Sequence, residues 1–248
     1  MTQFLLAFQF LSIFPIRIAK PIREKDLPRS MRYYPLVGAV LGSLSAGVYW
    51  LVLRGFTPIV AGVSAVISLI LFSGALHLDG FADMCDGFYG QRDRTRILEI
   101  MKDSHCGPMA VVGVFCLLSI KMVLVAQLAA DRALWALVLA PVIGRGSMVW
   151  LSTFSRYART EKGTGSAYVG HVDRWTLWIA TLMSVAAAYG LFQIRGLAAM
   201  LSAAVFCWIF RGCVQRRIGG MTGDTLGAAN ECVEVLVWAV LCFRGASL

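Results

Sequence analysis

Charged side chains are scarce in this chain. Asp, Glu, Lys and Arg make up 15% of its 248 residues, whereas soluble domains carry about 25%. Acidic residues are the rarer sign, with 14 Asp and Glu against 23 Lys and Arg. Hydrophobic residues reach 58%, which is more than one soluble core of this length would bury. These proportions exclude an ordinary soluble domain and indicate a membrane protein.

The sequence also lacks a framework of paired cysteines. Its seven cysteines form no CxxC pair and most stand in apolar runs, so we expect buried free thiols and neither disulfides nor zinc. No Cys or His stands at zinc spacing from His105 or His171. No internal repeat, low-complexity stretch or separate soluble domain is visible, and no cleavable signal peptide is expected at Met1 to Phe14.

The chain is rich in apolar runs that are long enough to cross a bilayer. A hydrocarbon core about 30 Å thick needs roughly 20 apolar residues in a helix. We therefore predict an all-α, polytopic membrane protein with about seven transmembrane helices, folded as one integral membrane domain over residues 1–248. The shorter segment 2–15 is predicted to lie at the interface or to insert partway. The predicted spans are about 36–53, 59–77, 109–129, 133–151, 176–193, 197–212 and 230–246.

Basic residues are distributed unevenly between the two sets of alternate loops. One set holds 17 Lys and Arg, including Lys20 and Lys162, and the other holds four, namely Arg54, Arg132, Arg195 and Arg244. Cytoplasmic loops of membrane proteins are enriched in Lys and Arg. The first set, together with the N-terminus, is therefore predicted to be cytoplasmic, and the C-terminal tail to be outside. Orientation then explains the net charge of +9, and nucleic acid is not expected as a partner.

Three aspartates follow the second predicted span at helical spacing. Asp79, Asp83 and Asp86 are four and three residues apart, so a continuing helix would place them on one face. Three carboxylates near hydrocarbon repel one another and lose solvation, which favours a cation between them. Their oxygen ligands suit Mg²⁺ or Mn²⁺ bound to substrate phosphates. A solvated helix end with scattered acids is the simpler interpretation, but it leaves the shared face unexplained.

Two further polar segments lie on the predicted cytoplasmic side. In the segment 92–104, Lys102 and Ser104 either belong to an ordinary basic loop or bind phosphate oxygens. The segment 219–231 contains four glycines and Asp224, and it is predicted to turn tightly around a ligand before the last span. Glu231 either caps that span electrostatically or adds a carboxylate near Asp224.

Two more polar residues stand at or inside predicted spans. His77 directly precedes the aspartates, and it is either a hydrogen-bonded structural residue or a proton acceptor. Arg145 falls inside a span, where an unpaired charge is costly, so its side chain is predicted to face a cavity.

Together these segments resemble the cobalamin 5′-phosphate synthase family, also called adenosylcobinamide-GDP ribazoletransferases. The chain departs from the family pattern at 105–108 and in the loop 160–170, which affects substrate contacts but not the three aspartates. The matching stretches are 77–87 (HLDGFADMCDG), 101–104 (MKDS) and 219–227 (GGMTGDTLG), with weaker matches at 29–38, 144–148 and 156–159, all in family order.

The resemblance implies the last assembly step of the cobalamin nucleotide loop. Members of the family join adenosylcobinamide-GDP to α-ribazole or its 5′-phosphate and release GMP. The resemblance further implies a requirement for Mg²⁺ and a place in the cytoplasmic (inner) membrane with the active site facing the cytoplasm, and a homo-oligomer is possible. The expected metal ligands are Asp79, Asp83 and Asp86, which form the catalytic set with Asp224. The residues expected to contact substrate are His77, Lys102, Asp103, Ser104, Arg145, Arg156, Thr222, Gly223 and Glu231.

Two other functions compete with this assignment. A CDP-alcohol phosphotransferase also clusters aspartates on membrane helices, but its pattern expects Ala-Arg after the first Asp-Gly and all its aspartates in one continuous motif. Here Asp83 directly follows Ala82, and the second polar segment is remote. An ion-coupled transporter would place its acids near mid-membrane in paired halves, whereas these acids follow a span and no repeat is visible.

Overall fold

A computed structural model describes residues 2–18, 21–161 and 163–243. The end of the last predicted span, 244–246, and three residues of the charge count, Lys20, Lys162 and Arg244, lie outside these ranges. The described residues form α-helices and two 3₁₀ turns, Met31–Tyr33 and Thr164–Ala167. The helices are α1 (Thr2–Leu11), α2 (Asp26–Ser30), α3 (Tyr34–Leu53), α4 (Pro58–Phe72), α5 (Leu76–Phe88), α6 (Arg94–Ile100), α7 (Pro108–Gln127), α8 (Ala130–Thr153), α9 (Arg174–Ile218) and α10 (Gly223–Cys242).

Five helical units among the described residues are long and apolar enough to cross a bilayer, and α4 with α5 forms a sixth, bent unit. The five units are Asp26–Leu53, α7, α8, α9 and α10. The predicted all-α, polytopic class is confirmed. Helix α9 accounts for two of the predicted spans because its backbone breaks at Gln193 (φ 49°, ψ −127°). A Cβ on Gly196 would lie 1.9 Å from the Ala188 carbonyl oxygen, so the chain folds back on itself there.

The second predicted span, 59–77, ends sooner than expected. Helix α4 stops at Phe72, and Gly74 and Ala75 adopt left-handed backbone angles (φ 62° and 55°). Helix α5 then departs at 91° from the axis of α4. The aspartates therefore lie on a separate helix that runs nearly perpendicular to the span and packs between α7 and α10.

Helix α8 lies at the centre of the bundle, against α3, α9 and α10. Small residues let α3 approach it closely: Cβ atoms added at Gly38 and Gly42 would meet the carbonyl oxygens of Pro141 and Leu137. Close backbone approach at small residues is a common way for membrane helices to associate. On the other side, the indole nitrogen of Trp238 in α10 donates to the Ala136 carbonyl at 2.9 Å.

The ten-residue helix α1 is too short to cross a bilayer, since it rises only about 15 Å. Its residues Leu6, Ala7 and Leu11 are buried, and Ala7 and Leu11 belong to the core of the bundle. Phe10 contacts Tyr168 with ring centroids 5.1 Å apart. Helix α1 therefore covers one side of the site described below.

The last helix begins earlier than predicted. Helix α10 starts at Gly223 instead of near residue 230, so most of the second polar segment is helical. The side chains of Thr222 and Thr225 each accept a hydrogen bond from the other's backbone N–H, which forms a capping box. This cap and the packing of the helix outweigh the turn preference of its glycines. The expectation of tight turns around a ligand is therefore wrong for the part of the segment beyond Thr222.

Candidate active site

Helices α5 and α10 cross with their backbones in contact. A Cβ added at Gly80 would lie 2.7 Å from the Asp224 Cα, and one added at Gly227 would lie 3.1 Å from the His77 Cα. Only glycine permits so close an approach. Since Asp79 and Asp83 flank the Gly80 contact at helical spacing, the crossing brings acidic residues of both helices together.

Three carboxylates gather at this crossing. Asp224, Asp79 and, more weakly, Asp86 lie near enough to Asp83 for their negative charges to act on it. Arg159, from the loop between α8 and α9, donates from Nη2 to Asp224 Oδ2 at 2.8 Å and to the Met101 carbonyl at 3.2 Å. One guanidinium facing three carboxylates leaves a local excess of negative charge, which attracts a cation.

Asp86, the third aspartate of the motif, has a different partner. Its carboxylate accepts hydrogen bonds from the backbone N–H groups of Gly107 at 2.6 Å and Ala110 at 2.9 Å. These groups are the unpaired donors of the first turn of α7, where a carboxylate is favoured. The structure therefore places Asp224 beside Asp79 and Asp83, and it uses Asp86 to hold the start of α7.

The described residues contain no group of three His, Cys, Asp or Glu side chains that converge on one point as a metal site would require. The donor chemistry of the crossing nevertheless suits a hard cation, because all three side chains are carboxylates. Magnesium commonly takes only one or two carboxylates and completes its shell with water and substrate phosphates. The three acids therefore fit a cation that is bound together with a phosphorylated substrate.

A cavity of about 150 Å³ opens beside the acids. Asp79 and Asp224 line one side of it, and Phe10, Tyr34 and Tyr168 line another. His77 also lines the cavity, where its ring is buried. The cavity thus joins a carboxylate cluster to an aromatic wall.

A basic groove adjoins the acids on the side of Arg159. Lys102 lines this groove and pairs with Glu161 at 2.6 Å, with both side chains exposed. Arg94 also lines it, but its guanidinium donates to the carbonyls of Ile218 and Ala158. Lys102 and Arg94 are both exposed in the groove, and Arg94 also fastens the loop before α9 to the end of α9.

The chain matches the family model described as cobalamin-5-phosphate synthase over residues 3–242. It belongs to the cobalamin-5-phosphate synthase family. A relative from Clostridium novyi (strain NT) is 34% identical over 249 residues, covering 100% of both chains. A relative from Desulforamulus reducens is 38% identical, covering 94% of this chain and 92% of its own, and one from Pseudomonas savastanoi pv. phaseolicola is 39% identical, covering 97% and 99%. All three are named adenosylcobinamide-GDP ribazoletransferase. No solved structure matches the chain.

Two of the residues expected to contact substrate lie instead in a buried ion network. Glu231 accepts from Lys121 Nζ at 2.5 Å, and Glu234 accepts from the same Nζ at 2.6 Å and from Arg145. All four side chains are at most 8% exposed. Glu231 therefore does not cap α10, and Arg145 does not line the cavity beside Asp224. Both predictions are corrected because each charge finds an opposite charge inside the bundle.

The remaining predicted residues divide between cavity and loop. Gly223 lines the cavity, and Thr222 is buried as the cap of α10. Asp103 and Ser104 are exposed in the loop after α6. The hydrogen bond from the His105 ring at 2.6 Å lowers the pKa of the Asp103 carboxyl below its ordinary value, so Asp103 has a partner within its own loop.

The structure brings Arg159, for which no role was predicted, to the acids, whereas substrate contact by Arg156 stays a prediction. The side chain of Arg156 is exposed, while its carbonyl accepts from the Met221 N–H at 2.8 Å. Arg159 contacts the acid, although only Arg156 was assigned to substrate. The motif match at 156–159 marked the segment, but the choice between its two arginines depends on how this irregular loop folds over α10. Lys121, Tyr34 and Tyr168 were missed because each stood in an apolar or weakly matched stretch.

Proposed function

We propose that this chain is an adenosylcobinamide-GDP ribazoletransferase. It would join adenosylcobinamide-GDP to α-ribazole, or to its 5′-phosphate, and release GMP. Membership of the family supports this proposal, and so do the names of relatives that cover nearly the whole chain. The observation that carries the site assignment is the meeting of Asp79, Asp83 and Asp224 at the α5–α10 crossing, beside a cavity.

The reaction class is phosphoryl transfer, in which catalysis rests on positioning and charge stabilisation. A ribose hydroxyl of α-ribazole attacks the phosphorus on the cobinamide side of the diphosphate, a new P–O bond forms, and the bond to GMP breaks. One of the carboxylates at the crossing accepts the proton of the attacking hydroxyl. Arg159 holds Asp224 in place, and its guanidinium would stabilise the negative charge that develops on the leaving group.

Mg²⁺ is part of the proposal. Asp79, Asp83 and Asp224 would hold it, and it would neutralise the diphosphate oxygens. Asp86 was also predicted from its spacing to be a metal ligand. That role stays a prediction, since the structure shows its carboxylate bound to the start of α7.

The decisive experiment measures GMP from adenosylcobinamide-GDP and α-ribazole in proteoliposomes. We expect GMP release in the presence of Mg²⁺. It should disappear when a chelator is added and return when Mg²⁺ is restored. Asp83→Asn is expected to abolish turnover while the protein still inserts, whereas Asp131→Asn, an exposed aspartate at the start of α8, keeps it. Near-normal GMP release by the Asp83 variant would refute the site. Turnover with a cytidine donor would favour a CDP-alcohol phosphotransferase, and solute flux without nucleotide would favour a transporter.

The proposed site faces the cytoplasm from the inner membrane. Its loops contain the basic residues of the richer set, which include Arg92, Lys102 and Arg159. Exposed Cys106 lies in the loop between α6 and α7, and exposed Phe56 lies in the turn between α3 and α4. With the other cysteines replaced, a membrane-impermeant maleimide should label Cys106 in inverted vesicles only. A Phe56→Cys variant that lacks Cys106 should be labelled in spheroplasts, and the reverse pattern would refute this orientation.

A further inference from the structure

The cavity beside the acids has an aromatic wall that phosphoryl transfer itself does not require. Phe10 lies 5.1 Å from Tyr168, centroid to centroid, and Tyr34 lies 6.4 Å from Tyr168. These rings come from α1, the start of α3 and the loop before α9, three parts of the chain that are distant in sequence. Met148 of α8 also lines the cavity. The fold therefore assembles a pocket suited to a flat apolar group next to the carboxylates.

Polar atoms in this pocket have no protein partner. The Tyr34 hydroxyl and both ring nitrogens of His77 are buried, and none has a hydrogen-bond partner among the described residues. The Tyr168 phenol is close enough to the Tyr34 hydroxyl to interact with it weakly, but no hydrogen bond of ordinary length joins them. Both Tyr34 and His77 are 1% exposed. Buried polar groups are nearly always paired, so these atoms indicate that a ligand supplies the missing partner.

The size of the cavity restricts that ligand. A protein cavity of about 150 Å³ holds one benzene molecule, and this one also opens towards Asp79 and Asp224. An aromatic bicycle is larger than benzene, so it fits if one edge of its ring system and its polar substituent extend through the opening. A corrin ring is several times larger and is excluded from the enclosed part.

The polarity of the cavity restricts the ligand further. Guanine carries several donors and acceptors, and a mostly apolar pocket would leave most of them unpaired at a cost of about 1–3 kcal/mol each. A ribosylated benzimidazole has one free ring nitrogen, which accepts one hydrogen bond. The Tyr34 hydroxyl or a His77 N–H can donate that bond, and the ribose hydroxyls of α-ribazole can pair with the polar atoms that remain.

We propose that this cavity binds the dimethylbenzimidazole ring of α-ribazole and directs its ribose towards Asp79 and Asp224. The inference rests on the proposed function, since it names which of the two substrates occupies the cavity. The nucleophile then arrives from the enclosed side of the acids, and adenosylcobinamide-GDP arrives from the open side, where Arg159 and Lys102 lie.

The test measures the KM for α-ribazole and the KM for adenosylcobinamide-GDP separately in each variant. Met148→Trp fills the cavity, and it is expected to raise the KM for α-ribazole about tenfold or more without changing the KM for adenosylcobinamide-GDP. The matched control is Met200→Trp, which fills a separate cavity between α8 and α9 and should change neither value. Tyr34→Phe is expected to raise the KM for α-ribazole about three- to tenfold, whereas Tyr49→Phe removes an equally buried, unpartnered hydroxyl outside the cavity and should have no effect.

A binding measurement that needs no turnover keeps the two proposals apart. Free dimethylbenzimidazole should bind the unmodified chain by calorimetry and compete with α-ribazole, whereas guanine should do neither, and Met148→Trp should abolish the binding. The cavity assignment is overturned if the unmodified chain releases GMP but Met148→Trp leaves the KM for α-ribazole unchanged, or raises only that of the corrinoid donor. No GMP release from the unmodified chain would instead refute the proposed function.

Discussion

The buried ion network of α7, α8 and α10 offers the sharpest test of how this bundle is stabilised. Lys121 Nζ lies 2.5 Å from Glu231 Oε2 and 2.6 Å from Glu234 Oε2, and Arg145 pairs with Glu234 from the other side. The two positive charges of Lys121 and Arg145 therefore balance the two negative charges of Glu231 and Glu234. Replacing Lys121 with Met keeps most of the side-chain volume but leaves two buried carboxylates sharing one guanidinium.

The expected loss is large because removing one partner leaves a charge buried without compensation. Breaking a buried pair in this way costs about 3–5 kcal/mol. If the scaling of soluble domains of 150–250 residues applies, this lowers Tm by about 6–20 °C. The matched control is Lys102→Met, since Lys102 pairs with Glu161 at a similar distance, 2.6 Å, but both side chains are exposed. Such an exposed ion pair is screened by water and contributes little to stability, so Lys102→Met should leave Tm almost unchanged.

Thermal unfolding in detergent, followed by fluorescence-detected size exclusion, measures both variants. The double variant Lys121→Met with Glu231→Gln restores the balance of charge and should recover most of the lost Tm. The reasoning is refuted if Lys121→Met lowers Tm no further than Lys102→Met does. It is also refuted if the double variant is less stable than Lys121→Met alone.

Three further predictions concern the site. Arg159→Ala removes the cation bound to a carboxylate of the crossing, so GMP release should fall about a hundredfold. Arg156 has an exposed side chain, so Arg156→Ala should change GMP release by no more than about twofold. Equal losses in the two variants would contradict the assignment of Arg159. Gly80→Leu should abolish turnover because a Cβ there would lie 2.7 Å from the backbone of α10, whereas Gly47→Leu, which points into open space, should not. Asp86→Ala removes the hydrogen bonds that hold the start of α7, so it should lower the free energy of unfolding by about 0.5–2 kcal/mol, measured as a fall in Tm. The Mg²⁺ concentration for half-maximal GMP release should not change, and a shift in it would identify Asp86 as a metal ligand.

Hydropathy sufficed to predict the helical class and most of the spans, because a segment in hydrocarbon must satisfy its own backbone hydrogen bonds. It did not predict the 91° bend between α4 and α5. The apolar run continues without interruption through Gly74, and the left-handed angle at Ala75 is unusual for a residue other than glycine. The early start of α10 was missed for a related reason, since the glycines before Glu231 favour turns in isolation but permit close helix contacts in the bundle.

Helical spacing was a partial guide to the site. It selected Asp79 and Asp83 from the motif, and the family resemblance added Asp224. Spacing did not reveal that the Asp86 carboxylate also binds the start of a helix that follows about 20 residues later, and the metal role of Asp86 stays a prediction. It also failed for Arg159, whose partner lies on a helix 65 residues away in sequence. Contacts of this kind depend on tertiary packing, which periodicity does not contain.

The acids at the α5–α10 crossing and those of the buried ion network are linked by a closed series of contacts between helices. Asp86 on α5 holds the start of α7, Lys121 on α7 holds Glu231 on α10, and Asp224 lies two turns before Glu231 on the same face of α10. The contact between Gly80 and the backbone of Asp224 then connects α10 back to α5. A shift of one helix along its neighbour would have to break a buried ion pair, a helix cap or a glycine contact. The buried charges inside the bundle therefore fix the register of Asp79, Asp83 and Asp224 at the crossing.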